Sequence, residues 1–189
     1  MLLKDYLIID NVLTNPKQAI NLAKQSEFFC KTPFNDTNLK LANCGNRPLG
    51  DWAGCRSKPL HIIYPDFFQE TFNHIFELFF PNRQFRYIIE SFFHLIGDDV
   101  KNQSSPIQWW HKDHLDCFYA GVIFLNENPK QQSGTMLKLN DEEIIIENCF
   151  NRLALYKSDI LHRPQDSSGS NLEDARLTLV FFVKELQLK

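Results

Sequence analysis

From Phe85 onward the chain is a succession of short β-type runs, at 85–96, 107–113, 118–125, 135–139, 142–147, 152–156 and 176–183. Gly, Asn, Asp, Pro and Ser fall between many of them, which marks turns between strands. Seven or eight strands after an N-terminal half with helices predict a mainly β fold with flanking α-helices, a cupin-like jelly roll. The run 118–125 is apolar at both parities, so it is expected to be a central strand covered on both sides.

The first half reads as a buttress. Tyr6-Leu7-Ile8-Ile9 has strand character, and Thr14-Asn15-Pro16 supplies a cap and first-turn signal for a helix to about Ser26. Residues 31–60 are irregular by composition, and Trp52-Ala53-Gly54-Cys55-Arg56-Ser57 reads as a structured loop. A second helix is expected from Pro65 to Pro81, with Phe68, Phe72, Ile75 and Phe79 as its packing stripe. There is no repeat, low-complexity tract or linker, so one domain is expected: 1–84 helical buttress and loops, 85–189 jelly-roll core.

The 189 residues, 43% hydrophobic and with 17 Phe, are enough for an aromatic-rich core. Net charge is -3, and the cations are scattered, which argues against nucleic acid as a partner. The longest uncharged apolar stretch is too short to span a membrane, and Lys4 and Asp5 interrupt any signal-like core, so the reading is cytoplasmic. Five cysteines, with no CxxC among them, indicate neither a complete disulfide framework nor a zinc ribbon, and they read as reduced structural residues. Nothing in the chain specifies an oligomeric state.

One ordered set of residues carries chemistry: His111 and Asp113, then His162, then Arg176 and Thr178. Alternate side chains of a strand leave the same face, so His111 and Asp113 project together and can take adjacent positions on one metal. With His162 as third ligand, two imidazoles and one carboxylate leave half an octahedron open, as suits non-haem Fe(II). Arg176 offers a fork of donors, with the Thr178 hydroxyl on the same strand face, which suits a carboxylate. A lone His-x-Asp arises by chance, and His114-Leu115-Asp116 is a second one. The first pair is preferred because it ends a strand-like run, whereas the second falls in the turn before Phe118. Trp109 shares the parity of His111 and Asp113, either walling the pocket or packing in the core, and Trp110 faces away.

His111-Lys112-Asp113, Tyr119-Ala120-Gly121-Val122-Ile123-Phe124-Leu125-Asn126, Gly134-Thr135, Leu161-His162-Arg163 and Glu173-Asp174-Ala175-Arg176-Leu177-Thr178 with Phe181-Phe182 together resemble the catalytic core of the Fe(II)- and 2-oxoglutarate-dependent oxygenases. The likeness is to small bacterial and phage members related to prolyl hydroxylases. Ile9-Asp10-Asn11-Val12-Leu13 and the loop at Trp52 are similar to segments of that group.

The resemblance implies a double-stranded β-helix in which His111, Asp113 and His162 bind Fe(II), and Arg176 with Thr178 binds the distal carboxylate of 2-oxoglutarate. Tyr119, Asn126 and Tyr156 are candidates for a further contact to that co-substrate. It also implies use of O2, release of succinate and CO2, and hydroxylation of substrate. A carboxylate at Asp113 leaves no room for a halide, which favours hydroxylation over halogenation. The substrate is expected to be a peptidyl or amino-acid side chain, met by loops at 31–60, 97–106 and 163–175, with 164–171 as a lid or a plain surface loop. The alternatives are a non-catalytic metal- or sugar-binding jelly roll and a structural domain that has lost activity.

Overall fold

Two long strands, β5 (Phe85–Ile96) and β11 (Arg176–Leu188), pair antiparallel from Arg176↔Ile96 to Leu188↔Phe85 and form the spine of the molecule. The computed structural model describes residues 4–30, 40–42, 54–97, 110–113, 116–165, 169 and 171–189. Trp109, His114, Trp52, the 98–106 loop and most of 31–53 lie outside them, as do 166–168 and 170 of the expected lid.

On the far edge of β11 lies β6 (Tyr119–Phe124), then β9 (Leu153–Lys157), then β1 (Tyr6–Ile9). Beyond β5 come β4 (Cys55–Ser57), β2 (Glu27–Cys30) and β3 (Lys40–Ala42), completing an eight-stranded sheet. The second sheet orders β10 (Leu161–Pro164), β7 (Thr135–Leu139) and β8 (Glu142–Ile146). An isolated antiparallel bridge from His111 to His162 extends it past β10. From β5 onward the chain passes back and forth between the sheets, which makes the two layers one jelly roll rather than two stacked meanders.

Side-chain alternation on the central strands divides the interior in two. Ile123, Leu179 and Phe181 face α1 (Pro16–Gln25), α2 (Leu60–Ile63) and α3 (Pro65–Phe79), whereas Ala120, Val122, Phe124 and Val180 face the second sheet with Leu137, Ile146, Ala154 and Tyr156. The expected central strand is therefore β6, lying between β11 and β9, although Phe118 lies outside it and is exposed. Gly121 lies opposite Phe181, and a Cβ at Gly121 would run into the Phe181 ring. That ring packs edge-on against Phe72 at 5.1 Å, so the glycine lets β11 dock the Phe181 ring under α3.

Asn15 accepts from the Gln18 amide at 3.2 Å and Pro16 opens α1, as the cap signal predicts. α3 ends at Phe79 and buries Phe67, Thr71, Phe72, Ile75 and Phe76, while Phe68 and Phe79 are only partly buried. Three expectations are corrected. The C-terminal half of the Trp52 loop is strand β4, whose Cys55 and Arg56 pair with Leu95 and His94. The end of the region taken as irregular begins the short helix α2. The cysteines are not all reduced, since Cys30 and Cys55, cross-strand partners in β2 and β4, form a disulfide.

Candidate active site

The His111 amide donates to the His162 carbonyl at 3.1 Å, and the His162 amide returns the bond at 2.9 Å. This reciprocal pair sets the imidazoles on one face, with ring centroids 4.2 Å apart. Two residues on, the Asp113 amide donates to the Ser158 carbonyl at 3.0 Å, which fixes its backbone beside them. The carboxylate places Oδ2 3.4 Å from His162 Nε2 and Oδ1 4.0 Å from His111 Nε2. One ligand atom from each of the three residues falls within 4.8 Å of the others.

His162 is buried and its Nδ1 lies 2.9 Å from the Ile160 carbonyl. A carbonyl only accepts, so Nδ1 carries the proton and Nε2 keeps its lone pair for a metal. Burial, assisted by the neighbouring His111, pushes the imidazole pKa down to about 3, so the ring is neutral at pH 7. His111 is the exposed member and marks the open side of the cluster.

Arg176 lines the same cavity and is buried. Its Nε donates to the Ser133 carbonyl at 2.8 Å, its Nη2 donates to Thr135 Oγ1 at 2.9 Å, and its guanidinium lies 5.3 Å from the Phe124 ring centroid. Among the described residues no carboxylate forms an ion pair with it. Burial lowers its pKa to about 10, which still leaves a cation at neutral pH. A buried guanidinium held only by neutral acceptors is a ready anion receptor, because an unpaired buried charge is costly.

The other expected residues separate. Thr178 is fully buried on the Arg176 face of β11, and its hydroxyl donates to the His94 carbonyl at 3.3 Å. Tyr119 lies on the opposite face of β6 from the cavity-lining Ala120 and Val122 and packs with the helix-side core. Asn126 is a staple between strands, its amide nitrogen donating to the Ala175 carbonyl at 2.8 Å and its oxygen accepting from the Leu177 amide at 2.9 Å. Tyr156 lines the cavity with its ring 4.7 Å from His162. Burial and the nearby Asp113 push its hydroxyl pKa well up, so it remains a donor. Of the second His-x-Asp pair, Asp116 lies at the surface, 3.1 Å from Lys184 Nζ.

Sequence reasoning passed over Arg56, Thr135 and Arg163 as cavity residues. Arg56 stands 5.5 Å from both the Phe92 and the Phe182 ring centroids, and Arg163 lies 5.1 Å from the Trp110 ring. The one available signal was that Arg163 adjoins His162 and Trp110 adjoins His111, which the bridge between the two histidines brings together.

The chain overlays on a prolyl hydroxylase from Trichoplax adhaerens, solved with a hypoxia inducible factor oxygen degradation domain peptide fragment, at TM-score 0.59 and 14% identity over 95% of this chain and 83% of that one. It overlays on a Pseudomonas putida prolyl-4-hydroxylase at TM-score 0.50 and 13% identity, over 96% and 92%. It also overlays on HygX of Streptomyces hygroscopicus, solved with nickel and 2-oxoglutarate bound, at TM-score 0.54 and 10% identity, over 95% and 82%. The fold is that of the 2-oxoglutarate- and Fe(II)-dependent oxygenases. No family model and no curated protein matches the sequence. At this level of identity the oxygenase likeness is one of fold. No helix among the described residues is long and apolar enough to cross a membrane.

Proposed function

We propose that the protein is an Fe(II)- and 2-oxoglutarate-dependent dioxygenase that hydroxylates a peptidyl or amino-acid side chain, releasing succinate and CO2. The observation that carries this reading is the buried Arg176, without a carboxylate partner among the described residues, in the same cavity as His111, Asp113 and His162. A metal alone needs no such cation, and a chelating diacid needs both ends of the cavity.

The donor set fits the group it would hold. Two neutral imidazoles and a carboxylate suit a divalent iron and leave positions for a chelate and O2. When bound, iron with 2-oxoglutarate supplies the oxidising chemistry, and the chain supplies position and dryness. Ile160 fixes the His162 tautomer, Ser158 holds the Asp113 backbone, and Ser133 with Thr135 aims Arg176 at the distal carboxylate. Tyr156, rather than Tyr119 or Asn126, takes the role of additional hydroxyl donor to the co-substrate, and Thr178 supports the strand from which Arg176 reaches. The apolar walls of Val122, Val180 and Phe182 keep water from the reacting face.

The test is anaerobic addition of Fe(II) and 2-oxoglutarate, with observation of the visible charge-transfer band of the chelate. Its appearance, and its loss on replacing His111, Asp113 or His162, is the expected result. Its absence in folded protein moves the reading to a non-catalytic jelly roll. Cytoplasmic placement is also part of the proposal, and the Cys30–Cys55 bridge tests it: reducing compartments keep thiols open, so a fully oxidised pair in rapidly alkylated cells argues for another compartment.

A further inference from the structure

Arg176 is gripped both by its side chain and by its backbone. Its Nε donates to the Ser133 carbonyl at 2.8 Å and its Nη2 to Thr135 Oγ1 at 2.9 Å, which ties the guanidinium to the start of β7 in the small sheet. The peptide groups on either side of it are held by Asn126, just past β6 of the large sheet. Asn126 Nδ2 donates to the Ala175 carbonyl at 2.8 Å, and its Oδ1 accepts from the Leu177 amide at 2.9 Å. Asn148, two residues beyond β8, joins the two grips. Its Nδ2 lies 3.0 Å from Ser133 Oγ and 3.4 Å from Asn126 Oδ1.

The partners fix the direction of these bonds. The Ser133 hydroxyl donates its proton to the Lys130 carbonyl at 2.6 Å, so toward Asn148 its oxygen can only accept. Asn126 Oδ1 is a carbonyl oxygen and also only accepts. Asn148 must therefore turn its amide nitrogen to both, and its own Oδ1 is buried without a donor among the described residues. Gly134 makes the approach possible, because a Cβ there would run into the Ile146 carbonyl and push the stretch from Ser133 to Thr135 off β8. Asn148 is buried and does not line the cavity, so it reaches a bound acid only through Arg176.

We propose that Asn148 is a positioning residue that fixes Arg176 in place and thereby sets which 2-oxo diacid the cavity accepts. The inference rests on the oxygenase reading above and deepens it. A guanidinium that cannot shift relative to the metal ligands meets a distal carboxylate at one reach only. A fixed Arg176 therefore favours 2-oxoglutarate over its homologues one methylene shorter or longer, and a loosened one discriminates less.

The test titrates Fe(II)-loaded protein anaerobically with 2-oxoglutarate, oxaloacetate and 2-oxoadipate, and reads Kd from the visible chelate band. Wild type is compared with Asn148→Ala, Ser133→Ala and the double variant. Asn148→Ala is expected to raise Kd for 2-oxoglutarate by at least roughly fivefold, as loss of a buried hydrogen bond does. Its preference for 2-oxoglutarate over the two homologues should narrow by at least roughly threefold. Fe(II) affinity without co-substrate should stay at the wild-type value. Because the two side chains act through one bond, the double variant should lose less than the product of the single effects. A general loss of stability would lower the band amplitude and leave Kd and the preference where they were. A second readout needs no metal: the nuclear magnetic resonance signal of the Arg176 Nε–H, assigned by its loss in Arg176→Lys, should exchange with solvent at least roughly tenfold faster in Asn148→Ala. An unchanged Kd and preference in Asn148→Ala overturn the proposal, as do independent effects in the double variant or an unchanged Nε–H exchange. Absence of the chelate band in folded wild-type protein sinks the oxygenase reading instead, and the Nε–H exchange then decides by itself whether Asn148 holds Arg176.

Discussion

Asp113 Oδ2 stands 3.4 Å from Nε2 of His162, whose opposite ring nitrogen is committed to the Ile160 carbonyl at 2.9 Å. The carboxylate therefore meets the imidazole on its lone-pair side, which is an arrangement for sharing a cation. Asp113→Ala is expected to weaken Fe(II) or Ni(II) binding by more than the roughly 10–100-fold that loss of an outer-shell partner costs. Circular dichroism should be unchanged. Asp116→Ala serves as the control and should keep its metal, because Asp116 faces Lys184 at the surface. Isothermal titration of the two variants separates the pairs.

The buried His162 makes the metal-free protein sensitive to acid. Its imidazole stays neutral in the folded state down to about pH 3, whereas the unfolded chain protonates it below about pH 6.5. Between those values the unfolded state binds more protons, so stability rises with pH through the window and is lost as pH falls from about 6.5. The loss is of the order of a few kcal/mol by pH 4. Urea midpoints of the apo protein at pH 7 and pH 4.5 check it, and His162→Gln should show a smaller difference than wild type.

Arg176→Ala should raise the KM for 2-oxoglutarate by at least roughly 30-fold, the low end of what truncating one partner of a buried charged pair costs. Metal affinity without co-substrate should be unaffected, because Arg176 is no ligand. Arg176→Lys should recover only part of the loss, since a single ammonium cannot serve Ser133, Thr135 and a carboxylate in one plane. A KM that stays at the wild-type value would place the acid elsewhere.

Tyr156→Phe keeps the ring against His162 and removes only the hydroxyl. A hydrogen bond to a charged group is worth about 1.5–3 kcal/mol, so KM for 2-oxoglutarate should rise by roughly tenfold or more. Tyr119→Phe should leave it unchanged, because that ring packs on the helix side of β6. Steady-state kinetics on the pair decide between the two tyrosines.

How far the fold and site could be read from the chain depends on the length of each signal. The His-x-Asp spacing of His111 and Asp113 is local, and so is the apolar pattern of β6 and β11, so these could be read, although of 110–113 only His111 makes a β-bridge and no strand forms there. β10 is four residues with His, Arg and Pro in it, and its strand character comes from pairing with β7 and from the bridge to His111. β4 is three residues long, and the loop reading missed it because its order is borrowed from β5 and β2. Arg56 was lost with it. The Cys30–Cys55 bridge follows from that same cross-strand pairing, which cysteine spacing alone cannot give. Tyr156 stood among three equal candidates because which face of β9 looks into the cavity is set by its register with β6, a long-range fact.

Gly121 offers a test of the packing beneath the site. It pairs with Phe181 across β6 and β11, and the ring occupies the space a Cβ would need. Phe181 is buried against Phe72 and cannot swing toward solvent. Gly121→Ala should therefore destabilise the protein by about 1–3 kcal/mol, the usual cost of overpacking a filled core. Phe181→Leu alone should also destabilise it, through lost packing. The two changes touch the same space, so the double variant should lose less than the sum of the singles by at least about 0.5 kcal/mol. Urea denaturation of the four proteins closes the cycle, and strict additivity would show that Gly121 is not there to make room for Phe181.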